Sequence, residues 1–531
     1  MGRGTALLLL GVVGAGAFLS GLELMITAVA LPAIVVDLAD WTKLRAASWI
    51  INGYLLVSIV VMPLAGQLTD RHGVRRVFLW SLVVFIAGSV LAGRAGSLGE
   101  LIAARLVQAV GGGALVPVAT AAASHLFDGA ARPRALGAIG ALTFLGMAAG
   151  PFAGSWIMQG IHPDRALDGL GLTGDLRAAL EAPWRYVFYL NVPLGLAALA
   201  LAWAATAGWT VPRRAHRLDL AGAAAASIGL VATLIAVTLA GSEPIPELPA
   251  DPSIMAAALG LVAVVSFVVA VLVGGRSAEP YIDTRWFRRP SFTAAALVSL
   301  LTGYGFATAI IGGAVFVDRV LYGGPDQQRI ALGALAAATA GGALVSGLVL
   351  RVVGMRLTTL IGLVASIVGL VQMGAWTPAT PLGEVATWLA LFGAGFGLTV
   401  TPLSTSAVAA LGEQSYGVAS ATVTVARMFG MAIGLAALTA FGSTVIDRLW
   451  AQILATPDAY KAFIPESLRD RVFTDGLVVD ALESWASGEA ARILVGVFLV
   501  AAAVIAVALL PTLALGRGTT AAPPGDVALR P

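Results

Sequence analysis

The sequence predicts an all-α integral membrane protein, and three observations support this fold class. The chain is 58% hydrophobic and only 11% charged, with a mean hydropathy of +0.90, which excludes a soluble domain with an ordinary polar surface. Apolar stretches of about 20 residues, the length that crosses a bilayer as a helix, recur along nearly the whole chain. A charged, glycine-bracketed turn in the first half also has a fainter copy in the second half, which indicates a duplicated architecture.

Fourteen apolar stretches are candidate membrane helices (14 TM). The first follows Arg3, and it is too long for a signal-peptide core and lacks a small-residue cleavage site. With a cytoplasmic N-terminus, the arginine clusters fall in loops on the cytoplasmic side, so both termini are predicted to be cytoplasmic. The stretches cover residues 6–34, 47–67, 77–95, 100–124, 136–159, 185–207, 219–241, 253–274, 291–317, 329–351, 357–376, 385–411, 418–445 and 491–515.

An internal repeat predicts the domain organisation. The seven-residue step from Gly66 to Gly73 recurs from Gly347 to Gly354, and the Gly-Met-Ala-Ala-Gly of 146–150 is echoed at 430–434. Each correspondence pairs one stretch with the stretch eight places later, so two six-helix bundles with two inserted helices are expected, a known transporter plan. The predicted units are a six-helix bundle in 1–207, two inserted linker helices in 208–275, a second six-helix bundle in 276–517 and a disordered cytoplasmic tail in 518–531.

Two longer segments are predicted on the outer side of the membrane. Residues 160–184 are interpreted as a polar excursion with a short helix at 175–181. Residues 446–490 alternate charged and apolar residues at helical spacing, with breaks at Pro457 and Pro465. They are expected to form short amphipathic helices against the outer mouth of the protein.

Four motifs give the chain a recognisable pattern. They are the turn 66–76, the pair Arg105 and Gln108, the run Gly-Pro-Phe-Ala-Gly at 150–154, and Trp-Arg-Tyr-Val-Phe-Tyr-Leu-Asn-Val-Pro at 184–193. With these motifs the chain resembles the major facilitator superfamily, and within it the fourteen-helix drug:proton antiporters of the multidrug efflux branch. The resemblance implies the major facilitator fold and proton-coupled export.

Glu23 is the first candidate for proton coupling. It lies near the middle of the first stretch, where an unpaired carboxylate is costly and intramembrane acids are usually functional. The family's Asp-x-Thr signature appears here as Glu23-Leu24-Met25, so the acid is kept and Met25 takes the threonine position. The alternative interpretation is a neutral acid that is hydrogen-bonded to a neighbouring helix.

Two arginines lie inside predicted membrane helices. The resemblance implies that Arg105 takes part in proton transfer, and a guanidinium near Glu23 would disfavour protonation of that acid. Arg427 is expected to pair with an anionic substrate group or with Glu23. A structural arginine that binds backbone carbonyls or a fixed partner is the alternative for both.

Two further motifs have roles that the resemblance implies. The turn is a gating loop in the family and latches the two halves when the cytoplasmic side is closed; a positive-inside anchor is the alternative. The small residues of the antiporter motif allow close helix packing, and its proline bends the helix. The gating loop comprises Gly66, Asp70, Arg71, Gly73, Arg75 and Arg76, and the antiporter motif comprises Gly146, Gly150, Pro151 and Gly154.

Composition excludes several other functions. The absence of cysteine excludes disulfides and thiolate chemistry, and the four histidines are too scattered to form a metal site. No phosphate-binding loop is present, and the arginines form no basic face for nucleic acid. Neither a cofactor nor a metal is expected.

The sequence therefore predicts a monomeric, proton-coupled antiporter of the cytoplasmic membrane, in contact with lipid, that exports amphipathic or lipophilic compounds. Export of a lipid, a cell-envelope precursor or an endogenous metabolite is the main alternative. A proton symporter, a receptor or an enzyme on this scaffold is less favoured. The candidate cavity residues are Glu23, Asn52, Tyr54, Gln108, Tyr304 and Arg427.

Overall fold

The structure, a computed structural model, is helical in every long segment that it describes. Within the described residues, turns, short 3-10 helices and one π-helical segment, Phe316–Val320, connect helices. The described residues are 3–38, 49–127, 131–163, 177, 180–206, 219–240, 251–277, 280, 283–411, 419, 421–438, 459–471 and 475–516.

Within these ranges the chain forms thirteen apolar helices of ten residues or more, and a short helix, Leu509–Thr512, follows the last of them. Twelve are long and apolar enough to cross a membrane, and α7 is a shorter apolar helix. The helices are α1 (Arg3–Leu38), α2 (Trp49–His72), α3 (Val74–Arg94), α4 (Leu98–Leu126), α5 (Arg132–Gly160), α6 (Arg185–Tyr189 and Asn191–Ala205), α7 (Leu220–Ala240), α8 (Pro252–Arg276), α9 (Pro290–Val315), α10 (Pro325–Met373), α11 (Leu382–Leu411), α12 (Ala421–Leu438) and α13 (Gly476–Val507).

The last helix begins earlier than the sequence indicates. The Asp475 carboxylate accepts a hydrogen bond from the Leu477 backbone N–H at 3.0 Å and so caps α13 at Gly476. The expectation that this helix begins at residue 491 is therefore wrong, because 476–490 continues it. Two short 3-10 helices, Ala459–Ala462 and Glu466–Leu468, precede it. Most of the predicted helix at 175–181 and all of the predicted tail lie outside the described residues.

The two repeated turns share one unusual backbone conformation. Gly73, between α2 and α3, has φ 86°, and Gly354, inside α10, has φ 83°. Only glycine adopts such angles readily. Gly354 divides α10 into two segments, 325–353 and 355–373, that correspond to α2 and α3. The sequence repeat therefore has a structural counterpart at its clearest motif.

Two helix pairs are in direct backbone contact. A Cβ on Gly146 of α5 would overlap the Phe18 carbonyl of α1, and a Cβ on Gly430 of α12 would overlap the Leu300 carbonyl of α9. Small residues permit this approach in membranes. The α1–α5 pair of the first half and the α9–α12 pair of the second half are thus built alike.

The two halves meet through apolar residues. The Phe144 ring of α5 lies 5.5 Å from the rings of both Phe306 of α9 and Phe396 of α11, measured between centroids. Elsewhere along the contact, Ile59 of α2, Leu234 of α7 and Val425 of α12 share one buried cluster. The inserted helix α7 therefore packs where the two halves meet, and it also packs against α8.

Candidate functional site

The Glu23 carboxylate is the centre of a fully buried polar network. One oxygen, Oε1, accepts from Arg105 Nη1 of α4 and from Thr27 Oγ1, the latter at 3.0 Å. The other oxygen, Oε2, accepts from Asn191 Nδ2 of α6. Glu23, Thr27 and Asn191 are completely inaccessible, and Arg105 is 1% exposed. Three helices thus bring hydrogen-bond donors to one acid.

Arg105 is held by more than its ion pair. Its Nη1 also donates to Gln108 Oε1 at 2.6 Å, and its Nε donates to the Ile50 carbonyl of α2 at 3.3 Å. The guanidinium carbon lies 4.2 Å from the centroid of the Tyr54 ring. These contacts give the cation partners that do not depend on Glu23.

The network continues from Gln108 to α3. Gln108 Nε2 donates to Ser89 Oγ at 2.8 Å, and Ser89 Oγ donates to the Phe85 carbonyl at 2.8 Å. Gln108 therefore has a fixed orientation, with its oxygen toward Arg105 and its amide nitrogen toward α3. Arg105 and Gln108, which the sequence places in one motif, are in direct contact through this hydrogen bond.

This arrangement makes Arg105 and a proton alternative partners for one carboxylate. Every group that touches the Glu23 oxygens is a donor, so the observed geometry matches the ionised acid. A protonated Glu23 would lose its charge attraction for the guanidinium. The site can therefore couple binding of a proton to release of Arg105.

A second arginine anchors the beginning of α6, the helix that carries Asn191. Arg185, at the start of α6, donates from Nη1 to the Gly93 and Ala95 carbonyls of α3 at 2.9 and 2.7 Å. The neighbouring Trp184 Nε1 donates to Asp37 Oδ2 of α1 at 2.9 Å. These bonds anchor the beginning of α6 to α1 and α3. Asn191 then begins the second part of α6, after the turn at Leu190.

Arg427 is buried without an acceptor in the described part of the chain. It is 8% exposed, and its Nε and Nη2 atoms make no hydrogen bond. The guanidinium carbon lies 5.8 Å from the centroid of the Phe396 ring. The expected pairing of Arg427 with Glu23 is not what the structure contains, since Glu23 pairs with Arg105 instead.

The other predicted cavity residues are dispersed. Tyr54 is buried beneath the Arg105 guanidinium, with Ser20 and Ser58 near its hydroxyl. Asn52 and Tyr304 are half-buried, and Tyr304 packs against the core of the second half. The structure brings Tyr54 and Gln108 to the Glu23 site and leaves Tyr304 and Arg427 in the second half.

The gating-loop residues lie around the end of α2. Gly73 separates α2 from α3, and Arg75 Nε donates to Thr206 Oγ1 at the end of α6 at 3.1 Å. Asp70 is half-buried in the last turn of α2, whereas Arg71 and Arg76 are exposed. The remaining member, Gly66, is buried within α2.

The antiporter motif forms the α5 surface that faces α1. Added Cβ atoms on Gly150 and Gly154 would contact Ile26 and Val29 of α1, and Pro151 is buried beside Gly150. With Gly146, these residues hold α5 directly against the helix that carries Glu23. Packing against α1 is thus their visible role.

Sequence reasoning missed two residues of the site. Thr27 follows Glu23 by one helical turn, a spacing that places both side chains on one face. Asn191 belongs to the motif at 184–193, but nothing in the sequence shows that α6 directs it toward α1. In the described part of the chain, no three potential metal ligands lie together.

Comparison with known proteins identifies consistent relatives. The profile of the Major Facilitator Superfamily matches residues 13–435. A triacylglyceride transporter of Mycolicibacterium hassiacum is 32% identical over 433 residues, 78% of this chain and 76% of that protein. Multidrug resistance protein 3 of Bacillus subtilis is 27% identical over 429 residues, 81% of this chain and 77% of that protein.

Solved structures share the fold. The human organic anion transporter MFSD10 superposes with a TM-score of 0.59 and 15% identity, over 96% of this chain and all of that one. At this identity the similarity concerns architecture alone. The resemblance inferred from the four sequence motifs is confirmed.

Proposed function

Because the chain belongs to the major facilitator superfamily, we propose that it is a proton-coupled antiporter that exports amphipathic or lipophilic compounds by alternating access. The family and the relatives are transporters, so the chain is a multi-pass transporter of the cell membrane rather than an enzyme. Proton coupling, the direction of transport and the substrate class are the proposed parts.

The observation that carries the proposal is the buried Glu23–Arg105 ion pair. A buried pair of this kind is weak support for stability, because desolvation offsets the attraction. The pair joins α1 to α4, and Asn191 of α6 donates to the same acid, which favours a switch instead. In the proposed cycle, a proton from the outer side neutralises Glu23, Arg105 is released to Gln108 and the Ile50 carbonyl, and the helices rearrange. Loss of the proton to the cytoplasm restores the pair.

The proposed topology has fourteen membrane crossings. The bend at Gly354 divides α10 into two segments of spanning length, and α7 supplies one further crossing. The proposed boundary after 207 then follows α6, and the proposed boundary after 275 lies one residue before the end of α8. With both termini cytoplasmic, the turn at Gly73 lies on the inner side, where its arginines satisfy the positive-inside rule.

The gating proposal concerns Asp70 at that inner turn. A carboxylate there can engage the positive N-terminal end of a neighbouring helix and hold the cytoplasmic side closed. The second turn has Arg351 in the corresponding place, so the proposed latch belongs to the first half. Asp70→Asn should therefore change the transport rate without abolishing substrate binding.

The substrate surface is proposed to lie between the halves, where aromatic rings and Arg427 meet. Phe306 and Phe396 stack at 4.2 Å between centroids, and the Arg427 guanidinium lies over Phe396. These rings are buried where the halves meet, so they would offer a lipophilic surface once the halves separate, and guanidinium N–H groups without an acceptor among the described residues suit an oxygen acceptor on the transported compound. Both features fit an amphipathic substrate.

Lipid export is the second candidate function, and one observation favours it. Relatives named triacylglyceride transporters are 30–32% identical to the chain, whereas those named multidrug transporters are 27–29% identical. The same proton switch serves either substrate, so the two candidates differ only in what occupies the space between the halves.

Reconstitution in proteoliposomes with an imposed pH gradient tests the proposal. Transport of a lipophilic cation and of a fluorescent triacylglyceride is measured for the wild type, for Glu23→Gln, and for Glu100→Gln, which removes an exposed acid near the start of α4. We expect gradient-driven flux to vanish in Glu23→Gln while substrate binding persists. Full flux in Glu23→Gln, or equal losses in both variants, would contradict the coupling role. The transported probe distinguishes the two candidate functions.

A further inference from the structure

A lateral groove of about 460 Å³ lies on the first half, and none of its lining residues belongs to the Glu23 network described above. Its walls include Leu68 of α2, Trp80 and Val84 of α3, and Val110 of α4, and its floor is formed at Gly111. Trp80 is 70% exposed and Val110 is 43% exposed. In a membrane protein such exposed apolar side chains face lipid, so the groove opens sideways into the bilayer.

One end of the groove is basic. His72, the last residue of α2, and Arg76, in the first turn of α3, line it together with the apolar residues. Neither side chain makes a hydrogen bond or an ion pair with another residue in the described ranges, and Arg76 is exposed. The groove therefore has cationic character at one end and apolar walls along its length.

The dimensions of the groove match those of one lipid leaflet. Val84 follows Arg76 by about 12 Å along α3, at roughly 1.5 Å per residue. The hydrocarbon of one leaflet is roughly 15 Å deep, half of the bilayer core. When Arg76 lies at the level of the head groups, Val84 lies within reach of an acyl chain.

We infer that this groove binds an anionic phospholipid of the cytoplasmic leaflet, with the phosphate beside Arg76 and His72 and one acyl chain along Leu68, Val84 and Val110. The bilayer supplies a molecule with this charge and this apolar portion at this depth. A small soluble anion would leave the apolar walls uncovered. The inference goes beyond the proposed transport activity, and it uses the proposed topology only to name the leaflet.

The absence of cysteine from the chain permits a site-specific test. A single Val83→Cys is placed on α3 at an exposed position beside the groove and labelled with a fluorophore. The protein is reconstituted into phosphatidylcholine vesicles. A lipid with brominated acyl chains, either phosphatidylglycerol or phosphatidylcholine, is included as the quencher. Val264→Cys, on the exposed face of α8, is the reference site.

We expect brominated phosphatidylglycerol to quench the Val83 label with about fivefold higher apparent affinity than brominated phosphatidylcholine, the preference that one cationic side chain near the surface confers. At Val264 the two lipids should quench equally. Arg76→Gln should remove most of the preference. Arg71→Gln, which removes the same charge from an exposed residue outside the groove, should retain it.

Three results would overturn the inference. An equal lipid preference at Val83 and Val264 would show that no specific site exists. An equal effect of Arg71→Gln and Arg76→Gln would reduce the preference to general surface charge. Millimolar inorganic phosphate should not displace the lipid; displacement would identify the site as one for a free anion. Because the readout is binding, it is independent of whether the protein transports any of the tested substrates.

Discussion

Asn191 of α6 donates its side-chain amide to the carboxylate oxygen of Glu23 that Arg105 does not occupy. The two residues are fully buried and belong to helices that the chain forms far apart in sequence. Their contact means that the ionised acid depends on α6 as well as on α4. The protonation state of Glu23 is therefore expected to be sensitive to the positions of three helices.

Asn191→Leu should reduce gradient-driven transport about tenfold. One hydrogen bond to a charged group contributes about 1.5 kcal/mol, and its loss weakens the state in which Glu23 is ionised. The measurement is the initial rate of pH-driven flux in proteoliposomes. Because Glu23→Gln is expected to abolish flux, the coupling of the two residues is tested on stability: if Asn191 acts through Glu23, Asn191→Leu should lower the free energy of unfolding less in Glu23→Gln than in the wild type. An additive loss would place Asn191 in another role.

Replacement of Arg427 by methionine should raise the free energy of unfolding by about 2 kcal/mol while impairing transport. A buried cation without an acceptor is costly, so an apolar side chain of similar volume is the more stable choice. The measurement is the unfolding transition in detergent, followed by substrate binding. A less stable Arg427→Met protein would show that this guanidinium has a structural partner.

Arg105→Met is the matched contrast to that variant. It should lower the free energy of unfolding by about 3 kcal/mol, because the buried Glu23 carboxylate then loses its counter-charge. Adding Glu23→Gln should recover most of this loss, since the remaining amide needs no cation. The same unfolding assay measures both variants, and failure of the second substitution to restore stability would contradict the pairing.

Valine at Gly146 or at Gly430 should destabilise the protein by at least about 2 kcal/mol. At either position a side chain would overlap a backbone carbonyl of the partner helix, which cannot move aside alone. Gly260→Val in α8 is the control, because nothing lies within 4 Å of the added Cβ. Thermal unfolding in detergent should separate the two core positions from the control; equal melting temperatures would argue against the close helix pairs.

Alanine at Gly73 and alanine at Gly354 should have similar costs, about 1–3 kcal/mol each, because both positions need a backbone conformation that is nearly exclusive to glycine. Gly99→Ala, in open space within α4, should cost nothing comparable. The unfolding midpoints of the three variants can be compared directly. If Gly354→Ala left the unfolding midpoint unchanged, the second turn would not need the positive φ that it shares with the first.

Much of the fold could be predicted from the sequence because membrane helices are recognisable by their length and hydropathy. The turns at Gly73 and Gly354 were also predictable as a pair, since glycine spacing encodes backbone conformation directly. The start of α13 was not, because charged residues in 476–490 resemble a surface segment until the Asp475 cap is seen. Hydropathy along the sequence identifies a helix more reliably than it identifies the first residue of that helix.

The site was predictable residue by residue but not as a network. Glu23 and Arg105 stood out because charge inside a membrane helix is rare. Thr27 and Asn191 are ordinary polar residues, and only the packing of α6 against α1 brings Asn191 to the acid. The isolation of Arg427 from Glu23 could not be inferred either, because it depends on how the two halves face each other.

The backbone contact between α1 and α5 has a mechanical consequence. With Gly146 against the Phe18 carbonyl, these two helices are expected to move as one rigid body that includes Glu23. Arg105 and Asn191 belong to α4 and α6, which are outside that body. Displacement of the α1–α5 pair relative to α4 and α6 would lengthen the hydrogen bonds from Arg105 and Asn191 to the Glu23 carboxylate. Protonation of that carboxylate would in turn weaken the contact between α1 and these two helices. In the proposed cycle, opening of the transporter and protonation of Glu23 are then coupled through these hydrogen bonds.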